Sequence, residues 1–378
     1  MISTARWAGL LADAGYTMAA GVPCSSLSPL QNHFQATQQF TYIAAPNEGQ
    51  AVAVASGAVM AGQRAIVVMQ NSGLGNAINP LTSLVETFRL PLILVTSWRG
   101  QPGQPDEPQH HRMGLSTHAL LDAIKIRHVT LDARDNAATQ QLREAIGHAE
   151  RDRCCVAIVV PDGVFEATAA VSDEPALFSP GFYEDLVDGG HRLSRTAVLA
   201  RLLAWTGPGA IRLATTGKTG RELFALSDDP SNLYVVGSMG LVSSIGLGLS
   251  LAFKGRILVI DGDGAALMHL GALPMIARYG GKTLVHVVID NGCYDSTGGQ
   301  RSIASHAPFA DIAARCGYAY AARVNEEAGL ARAMTAAAAG PALVHVLVRP
   351  GSPQNLPRPS RAPHDVLKRL QDHFSMHP

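Results

Sequence analysis

The 378-residue sequence predicts an α/β protein of two doubly wound parallel-sheet domains with no middle domain. Three observations lead there. Short apolar runs bounded by Gly, Pro or Asn recur in both halves, as parallel strands covered on both faces do. Ala-rich stretches of helical spacing separate them, which is the alternation of a βαβ chain. Between the halves, a segment rich in Gly, Pro and acidic residues loses this periodicity.

Taken in order, the opening MISTARWAGLLADAGYTMAAGVP reads as an amphipathic helix running into a strand and a turn. It lacks the unbroken apolar stretch and basic leader of a secretion signal. Residues 65–70 (AIVVMQ), 92–97 (LILVTS) and 154–160 (CCVAIVV) are expected as buried strands of the first half. Their counterparts in the second half are 210–215, 256–260, 284–289 and 343–348. The first domain is expected over residues 1–165, a linker over 166–192 and the second domain over 193–378.

Apolar residues make up 47% of the chain and charged residues 16%, enough for two large cores. Lys+Arg and Asp+Glu number 30 each. No net field draws nucleic acid or an anionic membrane, so neither is an expected partner. An acidic substrate must then be held by local groups. The five cysteines (Cys24, Cys154, Cys155, Cys293, Cys316) show no CxxC spacing, and adjacent Cys154 and Cys155 sit in an apolar run as core packing. A reducing, cytoplasmic setting is expected. No segment approaches the roughly 20 apolar residues of a membrane span.

The strongest chemical signal begins at Arg256: RILVIDGDGAALMHLGALPMIARYGGKTLVHVVIDNGCYDS. A strand ends in Asp261-Gly262-Asp263-Gly264, a helix follows, and a second strand ends in Asp290-Asn291-Gly292. The 25 residues from 265 to 289 hold one helix and one strand. Both polar clusters therefore emerge at the carboxyl ends of neighbouring strands, where open α/β sheets bind ligands. Glycines let the backbone approach an anion, and the helix after Gly264 offers free N–H groups. An Asp and an Asn beside a diphosphate are hard oxygen ligands suited to Mg²⁺.

This segment resembles the GDG…NN signature of thiamine-diphosphate-dependent enzymes, with Asp290 in place of the first Asn. The resemblance implies thiamine diphosphate and Mg²⁺ as cofactors. The metal is then held by Asp263, the side-chain oxygen of Asn291 and the main-chain carbonyl of Cys293, with Gly262, Gly264 and Ala265 against the cofactor. Earlier in the chain, IAAPNEGQ precedes the small-residue helix AVAVASGAVMA. A charged Glu opening such a helix is costly to bury without a partner. By the same resemblance, Glu48 hydrogen-bonds N1′ of the aminopyrimidine, enclosed enough to share a proton with it, and the helix behind it packs at a subunit interface.

Three further segments fit around these. Gly237-Ser238-Met239-Gly240 resembles the loop that props the cofactor in a bent shape, with Met239 as the wedge. Thr215-Thr216-Gly217-Lys218 ends a strand, and its hydroxyls and N–H groups suit a diphosphate, although the GxxxxGK[ST] spacing of a P-loop is missing. Asn71-Ser72-Gly73-Leu74-Gly75-Asn76 lies where family members approach the aminopyrimidine and the substrate.

The two-domain compactness, with GVPCSSLSPL, NSGLGNAINPLTSL and SWRGQPGQPDEPQHHRMG, looks like the phosphonopyruvate and sulfopyruvate decarboxylases over about residues 10–350. Cys24 departs from the pattern, because many phosphonopyruvate enzymes carry Asp there. The implied reaction is non-oxidative decarboxylation of a small anionic 2-oxo acid, a 3-substituted pyruvate. The first expectation is 3-phosphonopyruvate giving phosphonoacetaldehyde and CO₂, with sulfopyruvate as the alternative.

The charged head on C3 needs dedicated donors. Arg99, Lys218, Ser25 and Ser26 are the candidates, with Ser72 near them; Arg99 comes first because a guanidinium fork matches tetrahedral oxyanions. His110 and His111 resemble the His pair of pyruvate decarboxylases, suited to holding the substrate carboxylate or protonating the carbon that loses CO₂. Asp295, Ser296 and Thr297 follow the metal loop and are expected to face the substrate. Glu48 and Asp263 lie in different domains, and family sites form between subunits, so an obligate homo-oligomer of two or more chains is implied. Two other classes fit less well. A dinucleotide-dependent oxidoreductase wants GxGxxG with an acid about twenty residues on, which GSMGLVSSIG does not supply. A non-catalytic binder of the cofactor has no need of Glu48.

Overall fold

The structure is a computed structural model that describes residues 1–171 and 179–376. The chain divides into two compact units, residues 1–175 and 176–377. In the first, strands β1 (Tyr16–Gly21), β2 (Thr41–Ala44), β3 (Arg64–Met69), β4 (Leu92–Ser97), β5 (Arg127–Thr130) and β6 (Cys155–Val160) form one parallel sheet ordered β2-β1-β3-β4-β6-β5. Every residue of β4 and β6 is buried, which is why both read as unbroken apolar runs. The helix Thr4–Asp13 starts at a Ser3 cap and turns Trp7 and Leu11 into the core, where Trp7 meets Phe165 edge-on at 5.2 Å.

The helix Glu48–Met60 is unlike its neighbours, because Gly49 through Met60 are all buried. It packs on β1 and β3 and against the helix Leu74–Pro80. A helix with no wet face needs small residues so that elements on every side can approach, and AVAVASGAVM supplies them. The expectation that it faces another subunit is corrected here. Its surface is already covered within the single chain.

The second unit holds β7 (Phe182–Leu186), β8 (Ala210–Ala214), β9 (Asn232–Tyr234), β10 (Arg256–Gly262), β11 (Leu284–Asp290), β12 (Cys293–Tyr294), β13 (Gln300–Arg301), β14 (Tyr320–Val324) and β15 (Ala342–Leu347). Seven of them form a parallel sheet ordered β7-β14-β15-β11-β10-β8-β9, and β12 pairs antiparallel with β13. The linker expected over 166–192 is partly strand: β7 pairs with β14, and Glu184 accepts a hydrogen bond from the Tyr320 hydroxyl at 2.8 Å. As a sheet edge, FYEDL can stay polar, which hid it among loop residues. Residues 172–178 of that stretch lie outside the described residues. Among the described residues, no helix is long and apolar enough to cross a membrane, and all five cysteines are free thiols.

Both sheets contain a point where the winding reverses. β1 has β2 on one side and β3 on the other, and β8 has β9 on one side and β10 on the other. Helices leaving such neighbours depart to opposite faces, which opens a crevice at the carboxyl ends of the strands. The loops after β1, β3, β8 and β10 are therefore where ligands should be sought.

Candidate active site

In the second unit, one small cavity forms at the β8/β10 crevice. Thr215, Thr216 and Lys218 line it from the loop after β8, and Gly262, Asp263, Gly264 and Ala265 from the end of β10. Asn291 and Cys293 reach it from beyond β11, and Met239 from the GSMG turn. Gly217 lines a second cavity next to it. Ser238 is buried, with its backbone in the left-handed region at φ 43°. Gly264 leaves no free space for a side chain, because a Cβ would stand 2.2 Å from the ring of Tyr294 and the ring would have to shift.

Asp263 is buried, and burial pushes its carboxyl up to about 6; the Asp290 charge adds to this, against the Ser302 hydroxyl and the Gly264 N–H. A desolvated acid of this kind either keeps its proton or gains from a cation beside it. Asn291 donates its amide nitrogen to Asp295 Oδ2 at 2.7 Å, which fixes which end of the amide is oxygen. That oxygen accepts the Cys293 N–H at 3.3 Å.

Behind Asp295 stands Arg195, which donates to Asp295 Oδ2 at 2.9 Å and to Glu222 Oε1 at 3.0 Å. Thr196 and Ser352 hydroxyls also donate to Glu222. Burial works against ionisation of Asp295, yet the Arg195 hydrogen bond and charge hold its carboxyl below the usual range. A buried chain of charges thus orients the amide of Asn291. Among the described residues no three His, Cys, Asp or Glu side chains converge as a metal centre. The implied set of Asp263, an amide oxygen and a main-chain carbonyl needs only one such side chain, and the residues present fit it.

Asp290 points the other way. Its Oδ2 pairs with His345 Nε2 on β15 at 2.8 Å, and its Oδ1 accepts the Gly292 N–H at 2.9 Å. The residue that departs from the NN signature therefore ties β11 to β15 and faces away from the ligand side of the loop. The expected positions of Ser296 and Thr297 divide: Ser296 lines both cavities, whereas exposed Thr297 bonds to Gln300.

In the first unit, Asn47 caps the helix Glu48–Met60 by accepting the Gly49 N–H at 2.8 Å, which sets Glu48 as its first residue. Glu48 Oε2 accepts a hydrogen bond from Asn76 Nδ2 at 2.8 Å. The carboxylate lies over Gly73, where a Cβ would stand 2.4 Å from Glu48 Cγ and Oε1. The NSGLGN loop thus supplies both room and a donor for the acid. Enclosure of Glu48 is only partial in the single chain.

Asn71 has a different task from the one expected. It is fully buried, donates to the Arg99 carbonyl and to Thr117 Oγ1, both at 2.9 Å, and accepts the Arg99 N–H at 3.3 Å. Its side chain is spent on bracing the loop after β4. Arg99 is likewise engaged: Asp106 takes a two-pronged bond from its Nε (2.8 Å) and Nη2 (2.5 Å), and Nη1 donates to Ser25 Oγ at 2.9 Å. That partnership raises the Arg99 guanidinium further and holds the Asp106 carboxyl well below its usual range.

Ser25 and Arg99 are thus brought together as expected, but the fork is not free. Cys24 packs close by, its Sγ 3.6 Å from Ser97 Oγ, and Ser72 accepts from Gln70 at 2.6 Å. Ser26 is half-buried in the turn that begins at Ser25. His110 is half-buried and His111 exposed at the start of the helix His111–Ala123, and neither imidazole hydrogen-bonds to a described residue. Sequence reasoning missed Arg195, Glu222, Ser302 and Asn76. Only Asn76 carried a local signal, in the NSGLGN stretch.

Known proteins show which family the chain resembles. Residues 4–124 match the family described as thiamine pyrophosphate enzyme, N-terminal TPP binding domain, and residues 217–346 match its C-terminal TPP binding domain. The chain is 38% identical over 379 residues to phosphonopyruvate decarboxylase of Streptomyces hygroscopicus, covering 98% of this chain and 94% of that protein. It is 31% identical over 380 residues to sulfopyruvate decarboxylase of Methanosarcina acetivorans, covering 96% and 95%. Among solved structures, the thiamine diphosphate-dependent 4-hydroxybenzoylformate decarboxylase of Rhodococcus jostii superimposes with a TM-score of 0.70 over 93% of this chain and 99% of that one. At 15% identity, this last likeness concerns the fold alone.

Proposed function

Because the chain belongs to the phosphonopyruvate and sulfopyruvate decarboxylase family of thiamine-diphosphate-dependent enzymes, we propose that it converts 3-phosphonopyruvate to phosphonoacetaldehyde and CO₂. It is a carboxy-lyase acting on a 2-oxo acid. The observation that carries the reading is the small cavity at the β8/β10 crevice, where a desolvated Asp263 and an oriented Asn291 meet the Thr215–Thr216 loop. Identities of 38% and 39% to two phosphonopyruvate enzymes, against 31% to a sulfopyruvate enzyme, favour the phosphonate head. Sulfopyruvate is the second reading.

Bound thiamine diphosphate supplies a nucleophilic carbon and a sink for the electron pair left when CO₂ departs. In the proposal, residues 1–165 bind the pyrimidine and residues 193–378 the diphosphate. Asp263, Asn291 Oδ1 and the Cys293 carbonyl hold Mg²⁺. Thr215, Thr216 and Gly217 receive the diphosphate, with Gly262, Gly264 and Ala265 beneath it and Ser238 and Met239 propping its bend. Glu48 exchanges a proton with N1′, which is the acid–base step the chain itself provides. His110 or His111 serves the substrate carboxylate. The working unit is a cytoplasmic homo-oligomer of at least two chains, in which Glu48 of one chain serves the diphosphate-binding unit of another.

The test is Glu48→Gln. Cofactor affinity should stay near that of the wild type while turnover falls roughly a hundredfold or more. Exchange of the C2 proton of bound cofactor should slow in parallel; unchanged exchange would remove Glu48 from the role. Side-by-side turnover of phosphonopyruvate and sulfopyruvate by the wild type decides the head group.

A further inference from the structure

A second and larger cavity, of about 470 Å³, opens on the same loop after β8. It shares Thr215, Thr216, Lys218 and Ser296 with the small cavity beside Asp263. Its charged lining residues are Lys218, Arg221, Arg358 and Arg361, and no carboxylate lines it among the described residues. In a chain with equal numbers of acids and bases, four cations around one hollow form a local field that the rest of the molecule does not supply.

The arrangement is held in place. Arg221 donates to the main-chain carbonyl of Leu356 and, at 3.2 Å, to that of Pro357. It thereby pins the backbone that presents Arg358 and Arg361. Arg358 has no hydrogen bond or ion pair to a described residue, and Arg361 has only a longer-range attraction to Asp228. Tyr234, Val235, Val236 and Val366 add apolar surface to its lining. Uncommitted guanidinium groups and apolar side chains lining one cavity suit a small molecule with a short carbon body and a strongly anionic end. Arg99, by contrast, spends its fork on Asp106 and Ser25.

We propose that this cavity captures the oxyanion head of a doubly anionic three-carbon acid, with Arg358 and Arg361 as the donors that select it. The inference rests on the proposed reaction and names where its substrate is recognised. The probe is 3-phosphonopropanoate, which has both charges but no keto group and so cannot react. It is titrated calorimetrically into enzyme loaded with thiamine diphosphate and Mg²⁺, using wild type and the double variant R358M/R361M. The variant should bind the probe at least tenfold more weakly, the scale of losing charge-assisted hydrogen bonds. Propanoate, which lacks the head, should bind both proteins alike.

Both arginines are exposed, so the thermal transition should not move. Equal probe affinity in the two proteins overturns the proposal, as does failure of the wild type to bind the probe. Phosphonopyruvate turnover is read separately. A wild type that binds the probe through these arginines, yet does not turn over phosphonopyruvate, keeps the cavity and rejects the reaction.

Discussion

Replacing Arg195 with Met removes the one cation standing between two buried acids. Arg195 and Glu222 have side-chain exposures of 7% and 1%, and Asp295 has 12%. Met fills most of the arginine's volume, so loss of packing is small and electrostatics dominates. Breaking a buried pair from one side costs about 3–5 kcal/mol, because the remaining charge is left desolvated. Here two acids are orphaned, although Thr196 and Ser352 still donate to Glu222. For a unit of this size each kcal/mol moves the thermal midpoint by about 2–4 °C, so a fall of roughly 6–20 °C is expected in the diphosphate-binding unit. A second effect is separable from the first. Asp295 loses its anchor and so holds the Asn291 amide less firmly, and magnesium-dependent cofactor affinity should fall at least tenfold at a temperature where the variant is fully folded. Calorimetric unfolding and cofactor titration on the same preparation measure both. Restoring the charge balance with Glu222→Gln in the same chain should recover part of the midpoint but not the cofactor affinity. A variant within 2 °C of wild type that binds cofactor normally would refute the reasoning.

Three other outcomes follow from the geometry. Gly73→Ala places a methyl 2.4 Å from Glu48 Cγ and should displace the carboxylate, lowering turnover at least tenfold with little change in cofactor affinity; kinetics and titration calorimetry separate the two. Asp290→Asn keeps hydrogen-bonding groups toward His345 and Gly292 and faces away from the ligand, so cofactor affinity should hold within about threefold, at a stability cost of about 1–2 kcal/mol read from chemical denaturation. Burial pushes the Asp263 carboxyl up to about 6, above its ordinary value, so in the proposed metal site protons compete with Mg²⁺ for it in the unloaded protein. Magnesium-dependent cofactor affinity should be level above about pH 7 and fall roughly tenfold per unit well below pH 6. For the unloaded fold the sign is the reverse: an acid with a raised folded value makes stability decline as pH rises from its ordinary value through about 6. Titrations between pH 5 and 8 check the first trend, and an unchanging affinity would contradict it.

The strands that were legible in the sequence are those buried on both faces, such as β4, β6 and β11, where an unbroken apolar run has no competing explanation. β5 and β7 escaped because edge strands with one neighbour can remain polar, and β9 because three residues are too few for any pattern. The proposed cofactor loop could be read as one unit for a similar reason. Asp263, Asn291 and Cys293 sit within one βαβ crossover, whose geometry is fixed by its length. Arg195, Glu222 and Asp295 come from three segments, with the arginine 27 and 100 residues from its acids. No local spacing can announce such a network. Arg99 shows the converse limit: the SWRG stretch marked a guanidinium at the right strand end, but only the fold reveals that Asp106 has already claimed it.

The wholly covered helix behind Glu48 has a consequence for how this protein can change. Most helices have a wet stripe where substitutions are nearly neutral, and that stripe absorbs sequence drift. From Gly49 to Met60 there is none. An added methylene would press on β1, β3 or the helix Leu74–Pro80, and a charge would lack solvent on every side. In a library varying each position in turn, this stretch should therefore appear as a continuous band of intolerance, without the three-to-four-residue rhythm that helices usually show. The same enclosure leaves Glu48, as the helix's first residue, on a foundation that sequence drift can scarcely move.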